Sequence, residues 1–359
     1  MSSMSEAKHS YPHKERHVWW WVLGGIAFVL LAVGGYGWWL YNDTEDAIQD
    51  PSIPEGVVVA KKPGEPYNTL LVGSDSRSGL TAEEQLDLGA GTEGVTGQRA
   101  DTLIIAHIDP ESGRVTMVQF PRDLYVKIYG GPKDRINIAL EGGSTKLIRT
   151  VKELTGLDIH HYAMVNIAGF RDLVDAVDGV DLCLTEPIPF DDATGIEVTA
   201  DELPLVHFDG DRALRFVRSR NFPNGDLGRI QNQQKFLAAA LDKLTSASTL
   251  LNPAKLLRLP GVATKNVSVD ANTGIPQLRA LAGQLQSFDP KRFEAYTAPI
   301  KGPLTLPDGR QVLRPDRRAM EKMFGAIARN ISPADAKGKP KLKPIPIPEP
   351  KEQPAACRT

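Results

Sequence analysis

Cysteine is scarce in this chain, which has two cysteines, Cys183 and Cys357, among its 359 residues. This number does not indicate a disulfide framework of the kind that stabilises small secreted domains. Cys183 lies in an apolar, strand-like run, whereas Cys357 lies in a proline-rich C-terminal stretch. We therefore expect Cys183 to be a buried free thiol.

The sequence also lacks the short motifs of several large enzyme classes. No Walker A, GxSxG, HExxH or CxxC pattern occurs, which argues against P-loop, serine-hydrolase and zinc chemistry. One GxGxxG match, Gly89–Gly94, has no apolar strand before it and no helical pattern after it. We interpret it as a flexible loop rather than a dinucleotide site.

Excess charge of either sign is missing as well. The net charge is −2 at pH 7, so the chain as a whole is not attracted to nucleic acid or to anionic lipid. A local cluster supplies such attraction: the window from Arg215 to Arg229 holds four arginines and no lysine. Arginine presents a planar fork that grips phosphate or carboxylate oxygens in pairs. The cluster therefore predicts an anion-binding site, with a structural network of ion pairs as the alternative.

The spacing of these arginines predicts how they are presented. The run Arg212–Arg218 alternates between polar and apolar residues and predicts a strand. Arg218 and Arg220 would then leave the extended chain on the same face. Asp226 is a suitable N-cap for a helix that extends to about Thr245.

Within that predicted helix, Arg229 and Gln233 are four residues apart and share one face. The free N–H groups at the start of the helix favour an anion nearby. We therefore expect both side chains to face the same anion as Arg218 and Arg220.

An uncharged apolar run from residue 18 to residue 41 is long enough to cross a bilayer. Tryptophan and tyrosine lie at both of its ends, basic residues precede it and acidic residues follow it. This pattern predicts a transmembrane anchor, with residues 1–17 in the cytoplasm and everything after Asn42 outside. A cleaved signal peptide is the alternative.

The rest of the chain divides into a linker, one folded domain and a tail. Residues 42–66 carry several prolines and acids and predict an extracytoplasmic linker. Over 67–331, short apolar strands and amphipathic helices indicate a layered α/β domain. Residues 332–359, rich in proline and lysine, predict a disordered tail. The predicted strands are 68–73, 102–108, 114–120 and 180–184, and further helices are predicted at 145–155, 170–177, 275–286 and 317–330.

Acidic side chains lie next to two of the predicted strands. Asp75 is in the loop after the first strand, where ligands of open α/β sheets bind, although a plain Asx turn is the alternative. Asp101 directly precedes the next strand and is close to Arg99. A simple salt bridge between Arg99 and Asp101 is the alternative to a role in metal binding. If Asp75 and Asp101 converge, two carboxylates plus phosphate oxygens make a typical magnesium site.

Basic side chains follow the strand at 114–120. Pro121 ends that strand and fixes the backbone, so Arg122 emerges at a defined angle. Arg135 and Asn137 come later and are candidates for one further cation and an amide.

Taken in order, these segments resemble the LytR-CpsA-Psr family of bacterial cell-wall enzymes. The resemblance is strong over about residues 67–244, and it rests on the combination of motifs because no single one is specific. Two details depart from the family pattern: Gln119-Phe120 replaces a small-residue pair, and Arg135 stands where lysine is frequent. The matching stretches are Leu71–Arg77, Arg99–Asp109, Phe120–Tyr125, Arg135–Leu140, His161–Val180 and Phe208–Gln234.

The resemblance implies a three-layer α/β/α domain with a central mixed sheet, preceded by one transmembrane helix and located outside the cell membrane. It implies a phosphotransferase that moves a glycopolymer from a polyprenyl-pyrophosphate carrier onto peptidoglycan and releases polyprenyl phosphate. It also implies an apolar tunnel for the prenyl chain and a Mg²⁺ or Mn²⁺ ion. Asp75 and Asp101 would be the metal-binding or base carboxylates, with Arg99 and Arg122 as catalytic neighbours. The residues implied to hold the pyrophosphate are Arg99, Arg122, Arg135, Arg218, Arg220, Arg229 and Gln233.

Two other functions fit the same residues. One is a protein that binds the lipid carrier without turnover, and the other is a pyrophosphatase that transfers the same intermediate to water. Transcriptional regulation is opposed by the predicted topology, because the basic cluster lies outside the membrane and the cytoplasmic tail is short. The sequence does not name the glycopolymer.

Overall fold

The computed structural model describes residues 49–62, 64–77, 80–81, 83, 98–221, 226–245, 266–273, 292–337, 344 and 357. These residues belong to one compact unit, residues 47–359. The chain has a second unit, residues 1–46, which is not among the described residues. Three predicted features also lie outside them: the apolar span 18–41, the Gly89–Gly94 loop and the helix at 275–286. Among the described residues, no helix is both long and apolar enough to cross a membrane.

Strands and helices alternate along the described chain. The strands are β1 (Tyr67–Ser74), β2 (Ala100–Asp109), β3 (Arg114–Phe120), β4 (Tyr125–Lys127), β5 (Lys133–Arg135), β6 (His161–Val165), β7 (Val180–Cys183), β8 (Leu205–Phe208), β9 (Val267–Val269), β10 (Phe293–Thr297), β11 (Ile300–Thr305) and β12 (Gln311–Pro315). The α-helices are α1 (Ser144–Thr155), α2 (Ile167–Ala176), α3 (Gly210–Arg218), α4 (Asp226–Thr245) and α5 (Arg317–Ile327). Segments of 3₁₀ helix lie at Ile136–Gly142, Ala200–Glu202 and Pro333–Asp335.

A six-stranded mixed sheet forms the centre of the fold, with the strand order β10-β3-β2-β1-β6-β9. Strand β2 is antiparallel to both β1 and β3, whereas β6 is parallel to β1. The C-terminal ends of β1, β3 and β6 therefore meet the N-terminal end of β2 at one end of the sheet. The predicted α/β fold with a central mixed sheet is confirmed. This topology also collects the residues that follow β1 and β3 and the residues that begin β2.

Apolar side chains cover both faces of this sheet. Leu70 and Leu103 belong to a core that α1 and α5 complete, for example with Phe324. Their neighbours along the strands point to the opposite face, where Ile104 packs with Leu237 of α4. Because successive residues of a strand alternate between faces, the sheet buries apolar surface against helices on both sides.

The prediction of a strand over Arg212–Arg218 is wrong, because this run belongs to helix α3. The Asp209 side chain caps the helix by accepting a hydrogen bond of 2.8 Å from the backbone N–H of Arg212. Glycine at 210 allows close packing against α2, since a Cβ there would lie 2.4 Å from the carbonyl oxygen of Arg171. An apolar–polar run this short fits both the strand and the helix period, so the cap and the packing decide.

The prediction of a free thiol at Cys183 is also wrong. Cys183, at the end of β7, forms a disulfide with Cys357, and the two Cα atoms are 5.7 Å apart. The cysteines are 174 positions apart in sequence, and only the folded chain brings their Cβ atoms within bonding reach.

The packed structure continues beyond the predicted domain boundary at residue 331. Ser332 is 2% exposed, and its hydroxyl donates a hydrogen bond of 2.8 Å to Oε2 of Glu294. The 3₁₀ helix Pro333–Asp335 follows, and Cys357 is tied to β7. Among the described residues after 331, Ser332 and Cys357 are therefore attached to the domain.

Candidate functional site

A cavity of about 1300 Å³ lies between the central sheet and helices α2, α3 and α4. Over most of its extent the wall is apolar, and it includes Leu71, Ile104, Phe170, Leu214, Phe236 and Ala240. At the end of the sheet where β1, β2, β3 and β6 meet, the wall becomes charged, with Asp75, Arg77, Asp101, Arg218, Arg220 and Arg229. One continuous space therefore offers an apolar compartment and an ionic compartment.

Asp75 and Asp101 converge at the ionic end of the cavity. Ser74 of β1 pairs with Ala100 of antiparallel β2, so the residues that follow in each strand lie at the same place. Burial raises the pKa of Asp75 above its usual range. A hydrogen bond from the backbone of Arg99 opposes this rise in pKa, and the charge of Asp101 adds to it. A carboxylate with a raised pKa is a better proton acceptor near neutral pH.

Arg122 supports this pair of carboxylates from outside the cavity wall. Its Nη1 atom donates a hydrogen bond of 2.8 Å to Oδ1 of Asp101. Its Nε atom lies 3.8 Å from Oδ2 of Asp123. Strand β3 ends beside the start of β2, with Phe120 opposite Leu103, and this register sets the direction of Arg122. The guanidinium thus holds one member of the acidic pair in place.

Arg99 acts on the site mainly through its backbone. Its N–H donates a hydrogen bond of 2.7 Å to Oδ1 of Asp75. Its side chain turns instead to Glu141, with 3.0 Å between Nε and Oε1. Sequence reasoning expected the Arg99 side chain at the pyrophosphate, whereas the structure assigns its side chain to Glu141.

Arg218 and Arg220 both reach the cavity, by a different route from the predicted strand. Arg218 is the last residue of α3, and Ser219 ends the helix with an extended backbone. Burial lowers the pKa of the Arg218 guanidinium; Asp101 opposes this, and the charges of Arg77 and Arg220 add to it. Several cations thus share a partly desolvated space, which favours an anionic ligand between them.

Asp191 is a positioning residue that sequence reasoning missed. It is 5% exposed, and its Oδ2 atom accepts hydrogen bonds from the hydroxyls of Ser219 at 2.5 Å and Thr194 at 2.9 Å. Burial acts to raise the pKa of Asp191, but these hydrogen bonds outweigh it and lower the pKa. By anchoring Ser219, this carboxylate fixes the segment that carries Arg218 and Arg220. The sequence holds no local signal for this contact, because Asp191 and Ser219 are 28 positions apart.

Arg77 is a second residue that sequence reasoning missed, since the loop Gly73–Arg77 was assigned a role only through Asp75. Arg77 lines the cavity. Its position three residues after β1 was the available signal, because this loop follows the strand end where ligands bind.

On helix α4, Arg229 and Gln233 both line the cavity, as their shared helical face predicts. Arg229 is 4% exposed. The Gln233 side chain bridges two elements: its Nε2 atom donates to the carbonyl of Val217 at 3.0 Å, and its Oε1 atom accepts from Nε2 of Gln119. Gln233 therefore connects α3, α4 and β3 at the wall of the cavity.

Arg135 does not line the cavity. It lies on β5, where its Nη1 atom is 3.4 Å from Oδ1 of Asp123. The family resemblance implied that Arg135 holds the pyrophosphate together with the other arginines. The short hairpin of β4 and β5 turns it aside, with Arg135 opposite Tyr125.

The two carboxylates at the ionic end, Asp75 and Asp101, fit a hard divalent cation that is also bound by a phosphorylated ligand. Among the described residues, no cluster of three or more His, Cys, Asp or Glu side chains could hold a metal ion. Asp75 and Asp101 are two carboxylates, and Mg²⁺ is commonly held by one or two carboxylates together with substrate phosphates and water. The residues therefore suit a cation that arrives with a phosphorylated ligand rather than a cation held by protein alone.

The model of the LytR_cpsA_psr family matches residues 41–329, which include every candidate residue described above. The chain belongs to the LytR_cpsA_psr family. The probable cell wall biosynthesis protein LcpB of Corynebacterium glutamicum is 39% identical over 216 residues, which cover 60% of this chain and 51% of LcpB. This chain thus spans about half the length of that relative.

A second relative is covered almost completely. The polyisoprenyl-teichoic acid–peptidoglycan teichoic acid transferase TagU of Oceanobacillus iheyensis is 30% identical over 323 residues, which cover 84% of this chain and 92% of TagU. Among solved structures, TagV of B. subtilis superposes with a TM-score of 0.60 at 27% identity, covering 75% of this chain and 98% of TagV. This chain and TagV therefore share one fold over three quarters of this chain, 75%.

Proposed function

We propose that this chain attaches a glycopolymer to peptidoglycan, taking it from a polyprenyl-pyrophosphate carrier and releasing polyprenyl phosphate. The observation that carries the proposal is one continuous cavity with an apolar compartment and an ionic end that is lined by several arginines. A polyprenyl pyrophosphate has the same two parts, a long apolar chain and a compact anion. The names of the relatives TagU and LcpB, a teichoic acid transferase and a cell wall biosynthesis protein, support this class of reaction.

The residues divide the work between binding and chemistry. Arg218 and Arg220, together with Arg77 and Arg229, neutralise the pyrophosphate. A hydroxyl of peptidoglycan attacks the phosphorus that carries the glycopolymer. The new P–O bond forms as the bond to the bridging oxygen breaks, and polyprenyl phosphate leaves. We assign the hydroxyl proton to Asp75, because this carboxylate lies at the ionic end of the cavity, beside the phosphate-binding arginines.

The proposal includes a divalent cation, Mg²⁺ or Mn²⁺, which Asp75 and Asp101 would hold together with the phosphates. When bound, the cation supplies positive charge against the charge that develops on the phosphoryl oxygens. Arg122 contributes by keeping Asp101 in place through their 2.8 Å hydrogen bond.

We also propose that residues 18–41 anchor the chain in the cell membrane, with the domain on the outer side. The apolar run and its charge asymmetry support this topology. The disulfide between Cys183 and Cys357 supports it as well, because disulfides persist in oxidising compartments. A reporter fused after Thr359 should be active only when exported. A mature chain that begins after Tyr41 would show instead that the apolar run is a cleaved signal.

The decisive experiment is reconstitution of the full chain with a polyprenyl-pyrophosphate-linked oligosaccharide and a peptidoglycan oligomer. We expect the oligosaccharide to become covalently linked to peptidoglycan, with equimolar polyprenyl phosphate. Release of the oligosaccharide phosphate into water alone would indicate a pyrophosphatase. Tight binding without turnover would indicate a carrier-binding protein.

A pair of variants tests whether the prenyl chain occupies the apolar compartment. Ala240 lines the cavity, whereas Ala328 is exposed at the end of α5. Ala240→Phe should weaken carrier binding, because the ring fills space that the prenyl chain needs, and Ala328→Phe should leave binding unchanged. Mass spectrometry of the lipid that co-purifies with each variant gives the same comparison without added substrate.

A further inference from the structure

A second charged surface lies on the two hairpins β4–β5 and β11–β12, outside the cavity. Leu313 of β12 forms a parallel bridge with Leu124, and its N–H donates a hydrogen bond of 2.8 Å to the carbonyl of Asp123. The hairpins therefore lie side by side. Asp123 follows Arg122 directly, so this layer begins beside the ionic end of the cavity.

The layer and the start of α5 carry several exposed cations. Lys127 lies directly opposite Lys133 in the β4–β5 register. Like charges in directly opposed positions destabilise a strand pair, so this arrangement costs stability. The exposed cations, which we call the hairpin cations, are Lys127, Lys133, Lys301, Arg314, Arg317 and Arg318.

Three acidic residues of the same surface have other partners, whereas Glu321 on α5 is exposed. Arg310 binds Asp134 through Nη1 at 2.8 Å and Asp308 through Nε at 2.9 Å. Asp316 caps α5 by accepting a hydrogen bond of 3.2 Å from the backbone N–H of Ala319. Within the part of the chain that the structure describes, no carboxylate forms an ion pair with a hairpin cation. The surface therefore keeps a local positive charge although the whole chain has a net charge of −2.

The shape and composition of this surface favour a linear polyanion over a membrane. Lys127, Lys133, Lys301 and Arg314 lie on four different strands. Since neighbouring strands are about 4.8 Å apart, these cations are spread across the hairpins rather than gathered at one point. A membrane contact normally adds exposed aromatic or large apolar residues. On these hairpins, Leu304 at 37% exposure is the large apolar side chain that meets this description among the described residues.

We propose that the hairpin cations bind a linear polymer that carries repeating phosphate or carboxylate groups, and guide it past the ionic end of the cavity. The proposal concerns binding at this surface and goes beyond the proposed transfer reaction. It assigns a role to residues that neither line the cavity nor pair with its carboxylates.

Binding of the full chain to poly(glycerol phosphate) tests the proposal, with neutral dextran as the comparison polymer. The triple variant Lys133→Glu, Lys301→Glu, Arg314→Glu should bind poly(glycerol phosphate) at least about tenfold more weakly at low salt, because three attractive charges become repulsive. Wild-type affinity should fall as salt is raised. Dextran should not bind in either case.

A matched control separates a specific surface from net charge. Lys235, Arg329 and Lys337 are exposed cations outside the hairpins, and their triple Glu variant changes the net charge equally. Its binding should fall by less than about threefold. An equal loss in both triple variants would overturn the proposal, and so would full retention in the hairpin variant.

Two further measurements keep the result interpretable. The triple Gln variant of Lys133, Lys301 and Arg314 should give an intermediate loss at an unchanged melting temperature, so that a folding defect is recognised. Vesicles containing anionic lipid test the membrane alternative. If the hairpin variants lose vesicle binding but keep polymer binding, the surface binds a membrane and the proposal is wrong. Carrier lipid is absent from these assays, so their outcome does not depend on whether the cavity catalyses transfer.

Discussion

Arg122 donates a hydrogen bond of 2.8 Å from Nη1 to Oδ1 of Asp101, joining the residue after Pro121 to the second residue of β2. The contact exists because β2 and β3 are antiparallel, so that the end of one meets the start of the other. Asp101 is 38% exposed and Arg122 is 20% exposed at the side chain. An exposed carboxylate that must hold a fixed position thus has a more buried partner to orient it.

Replacing Arg122 by alanine should lower the transfer rate while leaving the fold intact. The lost hydrogen bond to a charged group is worth about 1.5–3 kcal/mol, which corresponds to a rate decrease of roughly tenfold to a hundredfold. Arg135→Ala is the matched control, because Arg135 pairs with Asp123 and does not line the cavity. Transfer assays on both variants test this distinction. An equal loss for Arg135→Ala would show that Arg135 contacts the substrate after all.

Asp75→Asn should inactivate the site and raise the melting temperature at neutral pH. Burial raises the folded-state pKa of Asp75 above its usual value of 3.8. The protonated Asp75 carboxyl group therefore contributes fully to the stability of the fold below pH 3.8. This contribution is lost as the pH rises through the pKa of Asp75 in the folded protein. Asparagine removes this penalty, so the difference in melting temperature between variant and wild type should shrink as the pH falls.

Asp109→Asn is a control of the opposite sign. Burial acts to raise the pKa of Asp109, but hydrogen bonds from Ser112 and Asn330 outweigh it and lower the pKa. Its contribution to stability is present above the unfolded pKa and is lost as the pH falls through the folded value. Asp109→Asn should therefore lower the melting temperature at neutral pH. If both variants shift in the same direction, the effect does not come from these carboxylate pKa values.

Arg218→Ala should weaken carrier binding by about 2–3 kcal/mol, the scale of a lost charge-assisted hydrogen bond. The melting temperature of the ligand-free protein should stay level or rise, because the neighbouring arginines repel one another. Lysine should rescue binding only in part, since a point charge cannot reproduce the guanidinium fork. Binding of a water-soluble, short-chain prenyl pyrophosphate provides the measurement.

Arg212 on the same helix offers the contrasting case. Its Nη2 atom lies 2.6 Å from Oε2 of Glu202, and its guanidinium covers the Phe208 ring. Arg212→Ala should lower the melting temperature and leave carrier binding unchanged. The reverse result, with Arg218→Ala destabilising the fold and keeping affinity, would mean that the arginine cluster is a structural network.

The disulfide predicts a measurable loss of stability on its removal. Cys183→Ser or Cys357→Ser should lower the free energy of unfolding by about 2–4 kcal/mol, because the cross-link restricts the unfolded chain. The double variant should match either single variant. Thiol titration of the denatured, unreduced wild-type chain should find no free thiol. Two titratable thiols in that sample would contradict the pairing.

Removal of divalent cations should abolish transfer and leave most of the carrier binding. The reason is that Asp75 and Asp101 are two carboxylates, which suit a cation that acts with the substrate phosphates. Transfer is measured with and without excess chelator, and added Mg²⁺ should restore it. Full activity in excess chelator would exclude the metal role.

The periodic segments of this chain were predictable from the sequence alone. Strands β1, β2, β3 and β7 and helices α1, α2, α4 and α5 lie where their apolar patterns place them, because each pattern is long or has clear end signals. The sequence also named both carboxylates of the candidate site. Asp75 follows a buried strand, which is a usual ligand position, and Asp101 directly precedes the next predicted strand.

Only the tertiary structure decided which charged residues share the cavity. Arg135 and Arg122 look alike in the sequence, but a short hairpin turns Arg135 toward Asp123 while strand register directs Arg122 to Asp101. The sequence likewise did not predict helix α3, the Asp191–Ser219 contact or the Cys183–Cys357 disulfide. Residue types and periods set which elements form. The directions of side chains depend on strand register and on contacts between distant segments, which no local pattern contains.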